Sequence, residues 1–242
     1  MPLVSAQSKY DIRCDWGPLG LAANLPGSAV VVIVDVLSFC TAVDIAVARQ
    51  ARVYPLPSYD GAQQYAEKLG ARLSSRDRRA GPSLSPASLA ALPPHSRLVM
   101  PSPNGAALSC ATGQTPTIAG CLRNSSAVAA RARQFGPSIT VIAAGERWPD
   151  GSLRPALEDW LGAGAIIHEL TGRRTPEAAA AEAAFLTVRG NLSAVLHECA
   201  SGQELVERGF AADVALAAAL NSSDTVPELI NGAFEARIAA RG

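Results

Sequence analysis

Hydrophobic runs of strand length alternate along this chain with stretches of helical spacing. Residues 29–37 (AVVVIVDVL) form a nearly continuous β-branched run, typical of a strand buried on both faces, and residues 41–49 follow with helical spacing. Further strands are predicted at 52–56, 96–100, 115–119 and 138–144, and helices at 58–69, 124–135, 155–170, 176–189 and 201–208, with a short helix from Ala106. Ser58 and Asn124 are expected to cap their helices, and Pro155 to occupy a first helical position.

This alternation predicts an α/β fold, a three-layer α/β/α sandwich with a largely parallel or mixed sheet. No boundary is evident, so residues 1–242 are interpreted as a single domain. Residues 74–94 are rich in Ser, Pro and Arg, which predicts a covering loop or an insertion with one short helix. A further apolar stretch at 213–220 precedes a tail that begins at Val226.

Charge and composition narrow the class of protein. The 242 residues carry 21 Lys and Arg against 21 Asp and Glu, so no net charge is available to attract nucleic acid or an anionic membrane. No apolar run reaches the roughly 18 residues of a membrane span, and no secretory leader is recognisable, so the expected location is the cytoplasm. Five cysteines without a CxxC pair predict reduced thiols rather than disulfides or structural zinc.

Polar residues cluster just after the predicted strands, where ligands bind in open α/β sheets. Carboxylates there can hold Mg²⁺ together with water and substrate phosphate oxygens, amides at helix starts can bind an anion, and arginines can bind phosphate, sulfonate or carboxylate oxygens. The candidates are Asp35, Glu146, Glu158 and Asp159; Ser38 and Thr41; Asn104, Gly105 and Asn124; and Arg123, Arg147 and Arg154.

Several candidates also have a purely structural interpretation. A carboxylate in a strand buried on both faces is costly unless it is paired or bound to metal, which favours a functional Asp35, although this residue can also cap the next helix. Asn104 and Gly105 form a common turn sequence, and Glu146 and Arg147 can pair on a surface loop.

Acidic residues in the first turn of a helix complement its dipole. Since only one of Glu158 and Asp159 is expected to face the sheet, Asp159 is favoured for the site. Other catalytic schemes lack their residues: Leu37 stands where a phosphatase with a D-x-D signature carries its second Asp. The three histidines have no HxH or HExxH spacing, and neither GxGxxG nor GxxxxGK[ST] occurs, which disfavours zinc and the usual nucleotide-binding loops.

Four ordered motifs resemble those of one family, the 2-phosphosulfolactate phosphatases. They are VVIVDVLSFCTAVDIAVA around Asp35, SPNGA at 102–106, CLRNSSAVA at 121–129 and AAGERWPDGSLRPALEDWLGAGAII at 143–167, and the resemblance extends to the tail. It implies an α/β/α sandwich and a Mg²⁺-dependent phosphomonoesterase that converts 2-phosphosulfolactate to sulfolactate and phosphate, a step toward coenzyme M. The matching motifs carry over Asp35, Asn104, Asn124, Glu146 and Asp159 as site residues.

The polar residues after the predicted strands and the family resemblance together lead to one hypothesis for the site. Asp35, Glu146 and Asp159 are the predicted catalytic and Mg²⁺-binding residues, and the role of a carboxylate is open between nucleophile and metal ligand or base. The partner is a small anionic phosphorylated substrate, and its predicted contacts are Ser38, Thr41, Asn104, Gly105, Arg123, Asn124 and Arg147.

Two departures from the family pattern bear on the substrate. Many members read DVLRATTT after the first strand, whereas Ser38 here replaces the Arg. A stretch resembling GERxG and GNSP is here GAR at 70–72 and SLSP at 83–86, so a Glu and an Asn are missing. The alternatives are a different phosphorylated hydroxy acid, an enzyme without phosphate chemistry, and a non-catalytic or re-purposed anion-binding protein. Small residues at 162–167 suggest a homodimer.

Overall fold

The computed structural model describes residues 6–236. Its strands are β1 (Ile12–Trp16), β2 (Val30–Val34), β3 (Arg52–Leu56), β4 (Arg72–Leu73), β5 (Arg97–Pro101), β6 (Thr117–Gly120), β7 (Ile139–Ala143), β8 (Glu146–Arg147), β9 (Leu153–Arg154), β10 (Pro227–Ile230) and β11 (Ala233–Ala236). Its helices are α1 (Gly17–Asn24), α2 (Phe39–Ala48), α3 (Ala62–Leu69), α4 (Pro86–Leu89), α5 (Gly105–Ala111), α6 (Ser125–Ala132), α7 (Leu157–His168), α8 (Pro176–Val188), α9 (Leu192–Glu198), α10 (Ala200–Glu207) and α11 (Ala211–Ala217). Short 3₁₀ turns lie at Leu122–Asn124, Arg133–Phe135 and Arg189–Asn191.

Nine strands form one mixed sheet in the order β1-β7-β2-β6-β10-β11-β3-β5-β4, and helices flank it, which confirms the predicted α/β/α sandwich. Strands β1, β7, β2 and β6 are parallel, as are β3, β5 and β4. The β10–β11 hairpin lies between these groups and pairs antiparallel with β6 and β3, so the pairing reverses strand direction from one group to the other. The carboxyl ends of β2, β6 and β7 therefore lie at one edge of the sheet.

The centre of the sheet is apolar because its parallel strands are shielded on both faces. Every residue of β2 and of β7 is buried, as the continuous hydrophobic runs in the sequence predicted. Asp35 follows β2 directly and remains buried. The first polar side chain after this apolar strand is therefore Asp35, at the carboxyl end of β2.

The two ends of the described chain add elements that the hydrophobic pattern did not indicate. Strand β1 and helix α1 precede the first predicted strand, and the predicted tail is in fact the β10–β11 hairpin, which completes the sheet. Its turn contains Asn231 and Gly232 with φ angles of 50° and 82°. An Asn-Gly pair between apolar residues is a strong hairpin signal, so the sequence did contain this element.

The predicted starts of α3 and α7 are wrong. Helix α3 begins at Ala62 after Gly61, and the Ser58 hydroxyl bonds to Asp60 instead. Helix α7 begins two residues after Pro155. Asn124 occupies the N-cap position of α6, as predicted, but its side chain makes no capping hydrogen bond to that helix. In the segment predicted as a loop before α7, β8 and β9 form a short antiparallel hairpin.

Residues 74–94 form a loop with one short helix, α4, and they pack on α2 and α11. Asp213 of α11 fixes this loop, since its Oδ1 accepts hydrogen bonds from the Ser85 hydroxyl (2.7 Å) and the Ala87 N–H (3.1 Å). The loop, which we call the 74–94 loop, is therefore anchored to a helix far along the chain rather than lying free on the surface.

The small residues of α7 are used inside the chain. A Cβ on Gly164 would overlap the Ala181 carbonyl group of α8, and one on Gly162 would lie 2.7 Å from a methyl group of Val36. These glycines allow α7 to approach both α8 and the end of β2 closely. Residues 162–167 therefore give no argument for a homodimer, and an assembly of two chains stays a prediction.

Two further findings concern membranes and thiols. Within residues 6–236, no helix combines the length and the apolarity needed to cross a membrane. All five cysteines are free thiols, as their spacing predicted, and Cys110 is exposed whereas the other four are buried.

Candidate active site

Asp35 lies at the carboxyl end of β2, in the turn that leads into α2. Its Oδ1 accepts a hydrogen bond from the Phe39 N–H (3.0 Å), and its Oδ2 accepts one from the Gly105 N–H (2.8 Å). Burial raises the pKa of Asp35 to about 6, although these two hydrogen bonds and the charge of Arg78 favour the ionised form. Capping of α2 explains the Oδ1 contact only, so the residue does more than begin a helix.

Asp159 connects the ends of β2 and β7 from the first turn of α7. Its Oδ1 accepts a hydrogen bond from the Val36 N–H (2.7 Å), and its Oδ2 accepts one from the Gly145 N–H (2.8 Å). Burial, followed by the negative charges of Asp35 and Glu158, raises the pKa of Asp159 well above its usual range. Asp159 therefore holds the two strand ends together at the cost of repulsion from neighbouring carboxylates.

The sequence favours Asp159 over Glu158 for the site, but the structure brings Glu158 into the same cluster. Glu158 and Asp159 are both buried, because neighbouring helices cover α7 in addition to the sheet. The Cys199 thiol contacts Glu158 Oε2 at 3.5 Å. The charge of Glu158 also raises the pKa values of Asp35, Glu146 and Asp159, so this residue is a fourth member of the carboxylate cluster.

Glu146 and Asn104 connect this cluster to an open cleft. Asn104 Nδ2 donates a hydrogen bond to Glu146 Oε2 (2.9 Å), and burial, with the charge of Asp35 as second cause, raises the pKa of Glu146 to about 7. Both residues line a cleft of about 320 Å³, whose other walls include Leu108, Arg147 and Leu153. This volume is sufficient for a small ligand. Arg147 is exposed there and donates to the Pro103 carbonyl oxygen (3.0 Å).

The rule that ligands bind beyond the carboxyl ends of parallel strands, which we call the strand-end rule, does not explain the positions of Asn104 and Gly105. They follow β5, which runs in the reversed group of strands, yet the Gly105 N–H reaches Asp35. Of the hydroxyls predicted to bind substrate, Thr41 Oγ1 is fully buried and donates to the Val36 carbonyl oxygen (2.7 Å). Thr41 therefore has a structural role in the turn.

Ser38 contacts a residue that the sequence did not single out. Its Oγ accepts a hydrogen bond from Arg78 Nη2 (3.1 Å), and the guanidinium of Arg78 is also paired with Asp213. Arg78 belongs to the 74–94 loop, so this loop contributes a cation next to Asp35.

Asn124 is not brought into this cluster. It is fully buried, its Oδ1 accepts a hydrogen bond from the Cys121 N–H (2.9 Å), and its Nδ2 donates to the Thr225 carbonyl oxygen (3.1 Å). Its amide therefore closes the turn after β6 and holds the segment that leads to β10, where it is unavailable to a ligand.

Arg123 is likewise placed elsewhere, in a buried ion pair. Its Nε donates to Asp44 Oδ2 (2.8 Å) and its Nη1 to the Leu216 carbonyl oxygen (3.1 Å), and Asp44 also accepts from the Ser223 hydroxyl (2.6 Å). Burial raises the pKa of Asp44, with the contacts from Ser223 and Arg123 opposing that shift. Arg123 therefore neutralises a buried aspartate of α2 rather than a substrate.

The change Arg123→Met is expected to lower the free energy of unfolding by about 3 kcal/mol, because it leaves the Asp44 charge buried without its ion-pair partner. The KM for substrate should remain within about twofold of the wild-type value, because Arg123 lies away from the cluster. A twofold change corresponds to less than about 1 kcal/mol of binding free energy. Urea unfolding and steady-state kinetics measure the two quantities. The double variant Arg123→Met/Asp44→Asn should recover stability, whereas a selective rise in KM would return Arg123 to the site.

The carboxylate cluster fits a hard divalent cation in its charge and donor atoms. In the described part of the chain, no group of three or more His, Cys, Asp or Glu side chains is arranged to hold a metal ion, so the predicted three-carboxylate ligand set is not assembled. Mg²⁺, however, usually takes one or two protein carboxylates and completes its shell with water and substrate phosphate. The charge of Asp35 raises the pKa values of Asp159 and Glu146, and a cation would relieve this repulsion.

Ligands of open α/β sheets bind beyond the carboxyl ends of the strands, which is where this carboxylate cluster and the cleft lie. Comparison with known proteins identifies the family. The model of the 2-phosphosulpholactate phosphatase family matches residues 20–232, and the chain belongs to this family. It is therefore a member of a family of hydrolases.

Individual relatives agree with this assignment. The chain is 31% identical over 208 residues to a probable 2-phosphosulfolactate phosphatase of Carboxydothermus hydrogenoformans, across 82% of this chain and 85% of that protein. It is 29% identical over 217 residues to the 2-phosphosulfolactate phosphatase of Methanothermobacter thermautotrophicus, across 86% of this chain and 90% of that protein. A probable 2-phosphosulfolactate phosphatase of Gloeobacter violaceus is 36% identical over 88 residues, or 36% of each chain.

Proposed function

We propose that this protein is a Mg²⁺-dependent phosphomonoesterase that hydrolyses 2-phosphosulfolactate, or a related phosphorylated hydroxy acid, to the free hydroxy acid and phosphate. The observation that carries the proposal is a carboxylate cluster in which Asp35, Glu158 and Asp159 are buried and Glu146 lines a cleft of about 320 Å³. Family membership and the names of the relatives support the reaction.

Asp35, with Asp159 or Glu146, would hold the cation. A bound Mg²⁺ neutralises charge on the phosphoryl oxygens and lowers the pKa of water. The backbone N–H groups of Phe39, Gly105, Val36 and Gly145 fix the two aspartates, so their oxygens are oriented before the substrate arrives.

With Asp35 and Asp159 as the cation ligands, Glu146 is the group best suited to proton transfer. Its pKa of about 7 lies near neutral pH, and the Asn104 amide orients it at the cleft. In the reaction, the oxygen of water bonds to phosphorus as the ester P–O bond breaks. Protonated Glu146 gives its proton to the departing alkoxide oxygen, and the proton that water loses restores the acid.

Release of inorganic phosphate from 2-phosphosulfolactate tests the proposal. The purified protein should release phosphate with Mg²⁺ and should stop when excess chelator is added, and 2-phospholactate and 3-phosphoglycerate rank related hydroxy acids. No release from any of these substrates, together with a Tm that Mg²⁺ and sulfolactate still raise, would contradict the phosphatase and favour an anion-binding protein on this fold.

Without a divalent cation, we expect the Tm of the protein to fall as the pH rises from about 5 to about 8. Burial raises the folded-state pKa of Asp35 to about 6 and that of Glu146 to about 7, whereas both ionise near pH 4 in the unfolded chain. The folded state therefore retains protons that the unfolded state has lost, and the stability, fully present below about pH 4, is lost as the pH passes 6 to 7. In chelator, the Tm should fall by about 5 °C or more.

Calorimetry with and without Mg²⁺ checks this dependence. Mg²⁺ should recover most of the lost Tm at pH 8 and little at pH 5, where protons compete with the cation. Glu146→Gln is the matched variant, because it keeps an oxygen for the Asn104 amide and removes one titrating group, so its Tm should vary less with pH. A wild-type Tm that rises from pH 5 to 8 in chelator would contradict the prediction.

A further inference from the structure

Arg78 is the arginine of the 74–94 loop that turns toward the carboxylate cluster. Three arginines stand close together there, and Arg76 and Arg79 are exposed: Arg76 lies over the Tyr59 ring and Arg79 donates to the Arg208 carbonyl oxygen. The side chain of Arg78 is only 13% exposed. Its neighbours in the sequence therefore provide controls of the same charge outside the site.

One edge of the Arg78 guanidinium is fixed by the protein. Nη1 donates to Asp213 Oδ2 and to the Leu84 carbonyl oxygen, both at 3.2 Å. Asp213 is buried and simultaneously holds the Ser85 hydroxyl and the Ala87 N–H. The orientation of the guanidinium is therefore set in advance, so little conformational entropy is lost when it binds a ligand.

The second terminal nitrogen of the guanidinium, Nη2, contacts the turn after β2. Nη2 donates to Ser38 Oγ (3.1 Å), three residues after Asp35, and the charges of Arg78 and Asp35 act on each other. A guanidinium has five N–H donors, and three are used by Asp213, Leu84 and Ser38. Among residues 6–236, Nε–H and the second Nη2–H have no hydrogen-bond acceptor.

The chemistry of the ligand supplies the reason for such a cation. A phosphorylated hydroxy acid carries a second anionic group on its carbon chain, and the carboxylates around Asp35 would repel it. A guanidinium with two unused donors, on Nε and Nη2, can bind a carboxylate or a sulfonate, each of which presents two oxygens side by side.

We propose that Arg78, positioned by Asp213, binds the non-reacting anionic group of the substrate and thereby selects phosphate esters that carry a carboxylate or sulfonate near the ester carbon. This inference rests on the proposed function and deepens it by naming the specificity residue. Asp213 is a positioning residue, since it acts through Arg78.

Steady-state kinetics on four phosphate esters test the assignment. They are 2-phosphosulfolactate, 2-phospholactate (carboxylate without sulfonate), 2-(phosphooxy)propane-1-sulfonate (sulfonate without carboxylate) and p-nitrophenyl phosphate (neither group). Arg78→Ala should raise the KM for 2-phosphosulfolactate about 10- to 100-fold with little change in kcat, and should leave p-nitrophenyl phosphate unaffected. Of the two esters that carry a single additional anionic group, the one whose group Arg78 binds should show the same rise in KM. The comparison therefore identifies that group.

Three controls keep the result interpretable. Arg79→Ala removes a neighbouring charge and should have no effect on any substrate, and Arg78→Lys keeps the charge without the fork and should recover part of the KM. If Arg78→Ala does not fold, Arg78→Lys and Arg78→Gln carry the comparison. An equal loss on all four esters, or no loss on any, would overturn the assignment.

Failure of the proposed function is distinguishable from failure of this inference. If the wild-type protein hydrolyses none of the esters, the phosphatase is excluded, and binding of the product is measured directly by the Tm in the presence of sulfolactate. A Tm that sulfolactate raises in the wild type and in Arg79→Ala, but not in Arg78→Ala, would still support the Arg78 subsite. Equal shifts in all three proteins would overturn it.

Discussion

The change Asp35→Asn is expected to lower kcat by about 10²- to 10³-fold, the usual effect of removing one charged group that stabilises the transition state. Asn keeps one oxygen, so it can accept from only one of the Phe39 and Gly105 N–H groups. The fold should survive, because the lost hydrogen bond is offset by removal of a carboxylate whose burial raises its pKa to about 6. In chelator at pH 8 the variant should melt within a few degrees of the wild type, and Mg²⁺ should stabilise it less.

A second buried aspartate provides the matched control for this change. Asp44 lies on α2 and its pKa is likewise raised by burial, but it pairs with Arg123 and Ser223 away from the cluster. Asp44→Asn should lower stability and keep Mg²⁺-dependent phosphate release. A folded Asp35→Asn protein with undiminished Mg²⁺-dependent activity would remove Asp35 from the reaction.

The sequence predicted the positions of those candidate residues that depend on local patterns. A continuous β-branched run ending in an aspartate identifies Asp35, because few structural roles tolerate a carboxylate there. The parallel strands β2 and β7 bring Val36 and Gly145 to the same edge, where both backbone N–H groups donate to Asp159. The predicted boundaries of β3, residues 52–56, also agree with the structure.

Contacts between distant segments could not be predicted in this way. Arg78 and its partner Asp213 are separated by 135 positions, and nothing in the sequence distinguishes Arg78 from Arg76 and Arg79. The family resemblance identified Ser38 as the loss of an arginine, yet the Ser38 hydroxyl accepts a hydrogen bond from Arg78. A guanidinium therefore reaches this position from another element.

Arg123 and Asn124 illustrate the opposite error. Both follow β6 at the expected edge of the sheet, but an arginine or asparagine next to a strand end has to satisfy buried neighbours before it can serve a ligand. Asp44 and the carbonyl oxygen of Thr225 use those donors. The strand-end rule predicts where a ligand binds and does not by itself predict which side chains are free to bind it.

The change Gly105→Ala is expected to lower kcat/KM by about 10²-fold, because a displacement near 1 Å in a catalytic group has effects of that size. A Cβ at position 105 would lie 2.5 Å from Phe39 Cδ1 and 2.7 Å from Asp35 Oδ2, closer than real contacts allow. Phe39 is buried and packs edge-on against Phe234, so it has little room to move. The Asp35 carboxylate should therefore shift and lose its hydrogen bond from residue 105, with about 1–3 kcal/mol of stability lost to overpacking.

Gly190→Ala is the matched control, since a Cβ there meets no atom within 4 Å and the substitution should leave both activity and Tm unchanged. The double variant Gly105→Ala/Asp35→Asn separates the two mechanisms by which Gly105→Ala could lower activity. If the methyl group acts by displacing Asp35, it should cause little further loss of kcat/KM once Asp35 is Asn, because both changes then remove the same interaction. Full additivity of the two losses, or a Gly105→Ala protein with wild-type kcat/KM, would show that the contact between the Gly105 N–H and Asp35 does not set the geometry of the reaction.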